Sequence, residues 1–458
     1  MNSLPRFSTT KIGHNKNAPR VWLEGKYLLT AGFAPSKNIQ VEFSEKQITI
    51  TLSPSGSRKI SSKKDGLIPV LDLNSNAIAD AFGAIDVLQV KISEGCITLT
   101  PTETDRLRSS RCYNGKEGSV FSGGGLLTEA ARQAGYEPAF AIEIDERYAE
   151  TYEENHPEAR MYNVSIENVP LDSLPRVELL TMGIPCQPFS RSRTRDLQTG
   201  AKRDRNLPPE AHPLSDMTMF AAEIIHRLNP ATVIIEQAPG YLASASGHML
   251  LYFLQRIGYT VEARVLDPRD YGELTARTRT VIVAHSGSHF EWPEMAATTS
   301  TFADIRDDES LHEDSYFTAE TKPWLTSHWE KQTAKGNGFT SQQIDDHCNS
   351  ITVINKRYLS QQGTGAVVKH RTKPNTWRWL SLDELRKIHK VPNSYRLPLA
   401  KTTAGELIGQ GVIISFFQKI ISAAKNISRT LPAANSINSS TIESPSCLPS
   451  DQLGLSFA

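Results

Sequence analysis

From Gly118 onward the chain alternates short apolar runs with stretches of helical spacing. The runs are SVF, AFAIEI, VELLTMG at 177–183, ATVIIE at 231–236, and two more at 260–266 and 279–284. Between them lie LLTEAARQAGY, DERYAETYEENH and helical patterns near 216–228 and 247–257. Strands alternating with helices of this length make βαβ units, hence an α/β fold with a mostly parallel sheet. The crossovers must be right-handed, and ligands then sit outside the carboxyl ends of the strands.

Composition bounds the rest. With 458 residues the chain is long enough for two or three domains. A hydrophobic share of 39% and a charged share of 22% predict a soluble globular protein. No run of about 18 apolar residues is present, so no membrane partner is expected. The opening MNSLPRFSTTKIGHNK lacks the apolar core of a secretory signal, which predicts a cytoplasmic protein. Lys+Arg and Asp+Glu balance at 50 each, which excludes a uniformly basic nucleic-acid binder but not a local basic surface. The five cysteines are scattered and form no CxxC pair, so neither a disulfide framework nor a metal cluster is predicted.

Residues 1–19 are polar and read as a flexible N-terminus. Residues 20–104 form a β-rich, internally repeated domain. QVEFSEKQITIT at 40–51 returns as QVKISEGCITLT at 89–100, an offset of 49 with seven of twelve positions identical. Each half reads as a strand, a short helical piece and a hairpin, and the halves should bury their apolar faces together. This pattern resembles the swapped-hairpin AbrB-type and SymE-type domains as a fused pseudo-dimer. That resemblance implies either DNA binding or a purely structural role. Residues 105–116 read as a linker and 117–284 as the α/β domain. Residues 285–375 lose the alternating grammar, 376–426 return to it, and 427–458 have a disordered composition.

Three features carry chemistry. FSGGG at 121–125 lies between a strand and a helix, where glycines let backbone approach a ligand. Glu143, about 20 residues later, ends the next strand, where an acid can accept hydrogen bonds from a ribose. The pair suits a nucleoside-containing cofactor, and the GxGxxG spacing of dinucleotide folds is absent. In GIPCQPFS at 183–190, Cys186 sits between two prolines at the carboxyl edge of a strand, a poor place for packing and a good one for facing a ligand. Such a thiol needs help to ionise.

With these motifs the segment 117–426 resembles the DNA (cytosine-5) methyltransferases. FSGGG matches the cofactor loop, Pro185-Cys186-Gln187 the nucleophile motif, and Glu236 the acid of Glu-Asn-Val. Arg277 and Arg279 match Gln-x-Arg-x-Arg, and RWLSLDELRKIHKVPNSY and GELIGQGV match the last two motifs. The resemblance implies a Rossmann-like S-adenosylmethionine-dependent methyltransferase sheet, a small target-recognition domain at 285–375, and the N-terminal all-β domain. It implies methyl transfer from S-adenosylmethionine to C5 of a flipped-out cytosine in double-stranded DNA. Cys186 would add to C6, with Glu236, Arg277 and Arg279 completing the catalytic set. Phe121, Ser122, Gly123, Gly125, Glu143, Ile144, Ser165, Pro185 and Gln410 would hold the cofactor. Gln187, Ser190, Arg191, Arg193 and Arg203 would meet DNA, the last three in a loop at 191–205 with six basic and two acidic residues. The acid-free stretch 355–373, with Lys369, His370 and Arg371, is the candidate for base reading. The acidic stretch from Asp304 to Asp314 is expected to face away from DNA.

The chain departs from the family pattern at Gln237-Ala238, where Asn-Val is usual. Ser165 stands where an acid contacts adenine, with Glu167 nearby, Thr275 replaces a glutamine, and Gln410-Gly411 replaces Asn-Ser. The expected protein is a bacterial or phage-type enzyme, with room for a cognate restriction endonuclease as partner. A catalytically altered DNA-binding regulator, or an enzyme adding another group to C5, is the alternative.

Overall fold

The computed structural model describes residues 4–16, 18–63, 66–189, 207–308, 313–334, 342–351 and 366–427. The chain forms two compact units, Met1–Ser110 and, in the main, Arg111 onward.

The first unit carries β1 (Arg6–Asn15), β2 (Ala18–Glu24), α1 (Tyr27–Thr30), β3 (Asn38–Ser44), β4 (Gln47–Leu52), β5 (Arg58–Lys59), β6 (Ser61–Lys63), β7 (Ile68–Asn74), α2 (Ala77–Phe82), β8 (Val87–Ser93), β9 (Cys96–Pro101) and α3 (Glu103–Ser109). The sheet order is β5-β3-β4-β9-β8-β1-β2-β7-β6. Its two ends, β5 and β6, are one stretch of chain, so the sheet returns on itself around Val21, Phe33, Ile48, Ile50, Leu88 and Ile97. The repeat governs the register. Thr49 pairs with Thr98, its own counterpart 49 residues on, so the halves meet about a pseudo-two-fold axis.

Two boundaries differ from expectation. Within the stretch 1–19, expected to be flexible, Arg6–Asn15 is a strand: β1 lies between β8 and β2. The pair Ile12–Val21 recurs 49 residues later as Ser61–Val70, so β1 is the first strand of the first repeat. Its polar outward residues conceal it in a hydrophobicity reading. The linker is helical at Glu103–Ser109, capped by Thr102, whose hydroxyl accepts from the Asp105 amide.

The second unit is built on β10 (Lys116–Val120), α4 (Leu126–Gln133), β11 (Glu137–Ile142), α5 (Glu146–Asn155), β12 (Arg160–Tyr162), β13 (Leu179–Gly183), α6 (Met217–Leu228), β14 (Thr232–Gln237), α7 (Ala245–Arg256), β15 (Thr260–Leu266) and β16 (Arg279–His285). The order is β12-β11-β10-β13-β14-β16-β15, parallel except for β16. Every residue of β14 is buried, as helices on both faces of a parallel sheet require.

A four-stranded sheet follows, ordered β17-β20-β19-β18: β17 (Phe317–Thr318), β18 (Gln343–Ile344), β19 (Val367–Lys369) and β20 (Thr376–Trp379), with α8 (Pro323–Ala334). Phe317, Leu325, Val367 and Trp377 form its core. β20 belongs to this sheet, so the small domain runs past residue 375. The chain then returns through α9 (Leu382–His389), α10 (Lys401–Gln410) and α11 (Ile414–Lys425), whose Phe416, Phe417, Ile420 and Ile421 join the main core with α4. The apolar stretch Lys401–Lys425 is long enough to cross a membrane by composition, yet it is mostly buried as core.

Candidate active site

The cofactor loop follows β10. Phe121, Gly123 and Gly125 take left-handed φ of 55°, 54° and 83°. Phe121 is the costly member, since a side chain rarely adopts that region. The turn is tied from three sides. The Ser122 amide donates to the Ile142 carbonyl at 3.1 Å. The Glu143 carboxylate accepts from the amides of Gly123 (2.7 Å) and Asp145 (2.9 Å). The Tyr395 hydroxyl donates to the Gly124 carbonyl, and His156 Nε2 lies 3.3 Å from the Gly125 carbonyl oxygen. A Cβ on Gly124 would sit 2.4 Å from Leu407, whereas one on Gly123 would meet nothing within 4 Å. The loop is therefore packed beneath and open above Gly123, where a ligand's backbone-facing groups can approach.

Beside that opening, Ile144 is 68% exposed, an apolar side chain at the end of β11 suited to covering a flat ring. Burial pushes the Glu143 carboxyl up, and the loop amides pull it back. Ser165 donates to Glu167, which lowers that exposed carboxyl. The acid missing at position 165 thus stands beside it. Gln410 links two elements: its amide donates to the Tyr148 hydroxyl at 2.9 Å, and its carbonyl accepts from Arg277 Nη2 at 3.2 Å. The chemistry of these residues fits S-adenosylmethionine: an amide-rich turn, a mostly buried carboxylate tied to that turn, and an exposed apolar neighbour.

Cys186 follows β13 at the carboxyl edge and is an exposed residue. The protein packed around the thiol raises its pKa, the Glu236 carboxylate adds to that, and Arg279 and Arg277 oppose it. Glu236 is level with Gly183 on the neighbouring strand and is 9% exposed. Arg279 Nε lies 2.5 Å from Glu236 Oε1. Gln237 resolves the departure at that position. Its Nδ-equivalent amide, Nε2, donates to the carbonyls of Ile184 (3.2 Å) and Pro185 (3.3 Å), while its Oε1 accepts from the Ala238 amide. The longer side chain holds the turn that carries Cys186. Thr275 is fully buried, and its segment bridges to Ile351 of the small domain.

In the small domain, Arg371 Nε donates to Asp346 at 3.0 Å and its Nη1 lies 3.5 Å from Asp308, while Lys369 Nζ is 3.7 Å from Asp345. Asp308, from the acidic stretch, sits among Arg306, Arg371 and Arg378, and two of those arginines are nearly buried and need counter-charges. Gln187 is half-buried beside Cys186. Ser190, Arg191, Arg193 and Arg203 lie outside the described residues, as do 355–365. The sequence reading missed Tyr395 and His156 as supports of the glycine turn. Tyr395 lies inside the quoted 378–395 motif; His156 carries no local signal.

The model of the C-5 cytosine-specific DNA methylase family matches residues 116–426. The type II methyltransferase M.DsaV of Dactylococcopsis salina is 24% identical over 312 residues, covering 66% of this chain and 83% of its own. M.HpaII of Haemophilus parainfluenzae is 26% identical over 322 residues, covering 65% and 86%. Among solved structures, S. pombe Dnmt2 methyltransferase aligns with a TM-score of 0.53 at 17% identity, covering 67% of this chain and 96% of its own. The Entamoeba histolytica methyltransferase EhMeth gives 0.54 at 16%, covering 68% and 98%. The glycine turn, the cysteine edge and the family match agree: this chain belongs to the C-5 cytosine-specific DNA methylases, enzymes that use S-adenosylmethionine.

Proposed function

We propose that the protein methylates C5 of a cytosine in double-stranded DNA through a covalent bond between Cys186 and C6. The observation that carries the reading is Cys186 at the sheet edge, with the Glu236–Arg279 pair on the adjoining strands. Cytosine C5 is a weak nucleophile. Addition of the Cys186 thiolate to C6 moves electron density to C5, and protonation or hydrogen bonding at N3 by Glu236 offsets the ring's charge. S-adenosylmethionine supplies the electrophilic methyl group when bound. Loss of the C5 proton to a base then expels Cys186 and restores the aromatic ring. Arg279 holds Glu236 in place, and Arg277 with Arg279 opposes the rise in the thiol's pKa. The reacting carbon is enclosed in the duplex stack, so the base must flip out, at a cost of roughly a few kcal/mol.

Phe121, Ser122, Gly123, Gly125, Glu143, Ile144, Ser165 with Glu167, Pro185 and Gln410 form the proposed cofactor pocket. A cytoplasmic setting and pairing with a cognate endonuclease, as the type II relatives' names suggest, complete the reading. The test is transfer of tritiated methyl to unmodified duplex DNA, followed by nucleoside mass spectrometry. A 5-methylcytosine product that disappears in Cys186→Ala is expected. Full activity in Cys186→Ala would overturn the covalent route, and DNA binding without turnover would favour a regulator.

A further inference from the structure

We propose that Tyr241, acting through Phe189, is a positioning residue that sets Cys186 in place beside Glu236, and that Gly240 lets the two turns come close enough for it to do so. The inference rests on the proposed covalent reaction and names the residues that aim its nucleophile.

Cys186 and Glu236 stand where neighbouring strands end, with Gly183 level with Glu236. Each strand runs on into a turn. In the first, the Phe189 amide donates to the Cys186 carbonyl at 3.1 Å, so a shift of Phe189 is carried to Cys186. In the second, the Tyr241 amide donates to the Ala238 carbonyl at 3.0 Å. The two turns meet ring to ring. Phe189 and Tyr241, both buried, pack edge to face with centroids 4.8 Å apart and planes at 86°.

Tyr241 is the anchored partner. Its hydroxyl lies 3.1 Å from Thr218 Oγ1 on α6. Its carbonyl accepts from Ser244 Oγ at 2.6 Å, and that oxygen accepts from the Gly247 amide in the first turn of α7 at 3.0 Å. A ring tied to two helices is a firm seat for the turn that packs on it.

The grips on the cysteine turn come from one short segment. Gln237 holds the carbonyls of Ile184 and Pro185 ahead of Cys186, and Tyr241 holds Phe189 after it. That segment begins at the residue after Glu236, so nucleophile and acid share one frame. Gly240 lies between the grips. It is exposed, and a Cβ there would sit 2.8 Å from the Phe189 carbonyl oxygen. Relaxing that contact to an ordinary 3.4 Å takes about 0.6 Å of backbone movement. Reacting atoms must meet at about 3–3.5 Å, and a 1 Å misplacement can cost about 100-fold in rate.

The experiment uses the full-length protein on duplex DNA of mixed sequence, with Gly240→Ala, Tyr241→Leu and Tyr241→Phe. Gly240→Ala and Tyr241→Leu should each lower kcat about 10- to 100-fold, with KM for S-adenosylmethionine and affinity for S-adenosylhomocysteine unchanged. Tyr241→Phe keeps the ring and should recover most of the rate that Tyr241→Leu loses. Duplex DNA carrying 5-fluorocytosine isolates the thiol step. The bond from sulfur to C6 forms and the methyl group is transferred, but fluorine replaces the proton that a base must remove, so the adduct persists. Its single-turnover rate of formation should fall in step with kcat. Thermal unfolding reports any loss of packing separately. A lower melting temperature with kcat per folded molecule unchanged in both Gly240→Ala and Tyr241→Leu makes these residues packing alone and overturns the proposal. A parallel loss of S-adenosylhomocysteine affinity, which marks a general loosening of the site, overturns it too. A wild type that yields neither 5-methylcytosine nor the adduct overturns the covalent reading, and this inference with it.

Discussion

Glu117→Gln should make the enzyme more stable at alkaline pH, by an amount that grows with pH. Glu117 is the second residue of the strand that feeds the glycine turn and is completely buried. Two hydroxyls donate to its Oε1, from Thr181 at 2.5 Å and Thr128 at 3.3 Å, but Oε2 has no partner. Burial pushes its pKa from 4.5 to about 8, with those hydroxyls only partly opposing. Below pH 4.5 the group is protonated folded or unfolded and exerts no pH effect. Between 4.5 and 8 the folded state binds a proton the unfolded state has released, so stability falls as pH rises. At about 1.4 kcal/mol per pH unit, the loss reaches on the order of 5 kcal/mol and then levels off above pH 8. A glutamine keeps the accepting oxygen and replaces the protonated one with an uncharged NH2, so it lacks this slope. Denaturant unfolding of both proteins at pH 5, 7 and 9 measures the difference. It should be near zero at pH 5 and several kcal/mol in favour of the variant at pH 9. A difference that does not change with pH would show that Glu117 ionises equally in both states and refute the argument.

Two further outcomes follow from the site. Gln237→Ala removes two hydrogen bonds to the turn before Cys186, so kcat should fall at least about tenfold while S-adenosylhomocysteine affinity, measured by calorimetry, changes little. Tyr395→Phe deletes the hydroxyl that holds the Gly124 carbonyl; it should cost about 1–2 kcal/mol of stability and raise KM for S-adenosylmethionine more than it lowers kcat, as initial-rate kinetics would report.

The βαβ grammar and the ordered motifs were legible because each is local: an apolar run, a glycine turn, a cysteine between prolines. The N-terminal strand was not, since β1 exposes most of its residues and is fixed by partners at 18–24 and 87–93 rather than by its own pattern. The ion pairs of Asp308 were hidden for the same reason. A charge run reads as a solvated face until the fold brings nearly buried arginines, Arg306 and Arg378, against it. Gln237 was half legible: its amide could be recognised as a substitute, but only the two carbonyls within reach tell what it holds.

The most informative case is Arg279, which lies 43 residues from Glu236 in sequence and 2.5 Å from it in space. A parallel strand delivers its last residues to the carboxyl edge of the sheet, whereas Arg279 is the first residue of its strand. Had β16 run parallel to β14, Arg279 would have emerged at the opposite edge, far from Cys186. The reversal pairs Glu236 with Val281 and Gln237 with Thr280, so the strand's beginning, with Arg277 just ahead of it, arrives at the edge where the ligand loops are. Because side chains alternate, Arg279 shares the face of Val281 and therefore of Glu236. The single antiparallel strand is thus a requirement of the site: it lets a motif placed before a strand meet an acid placed at the end of one.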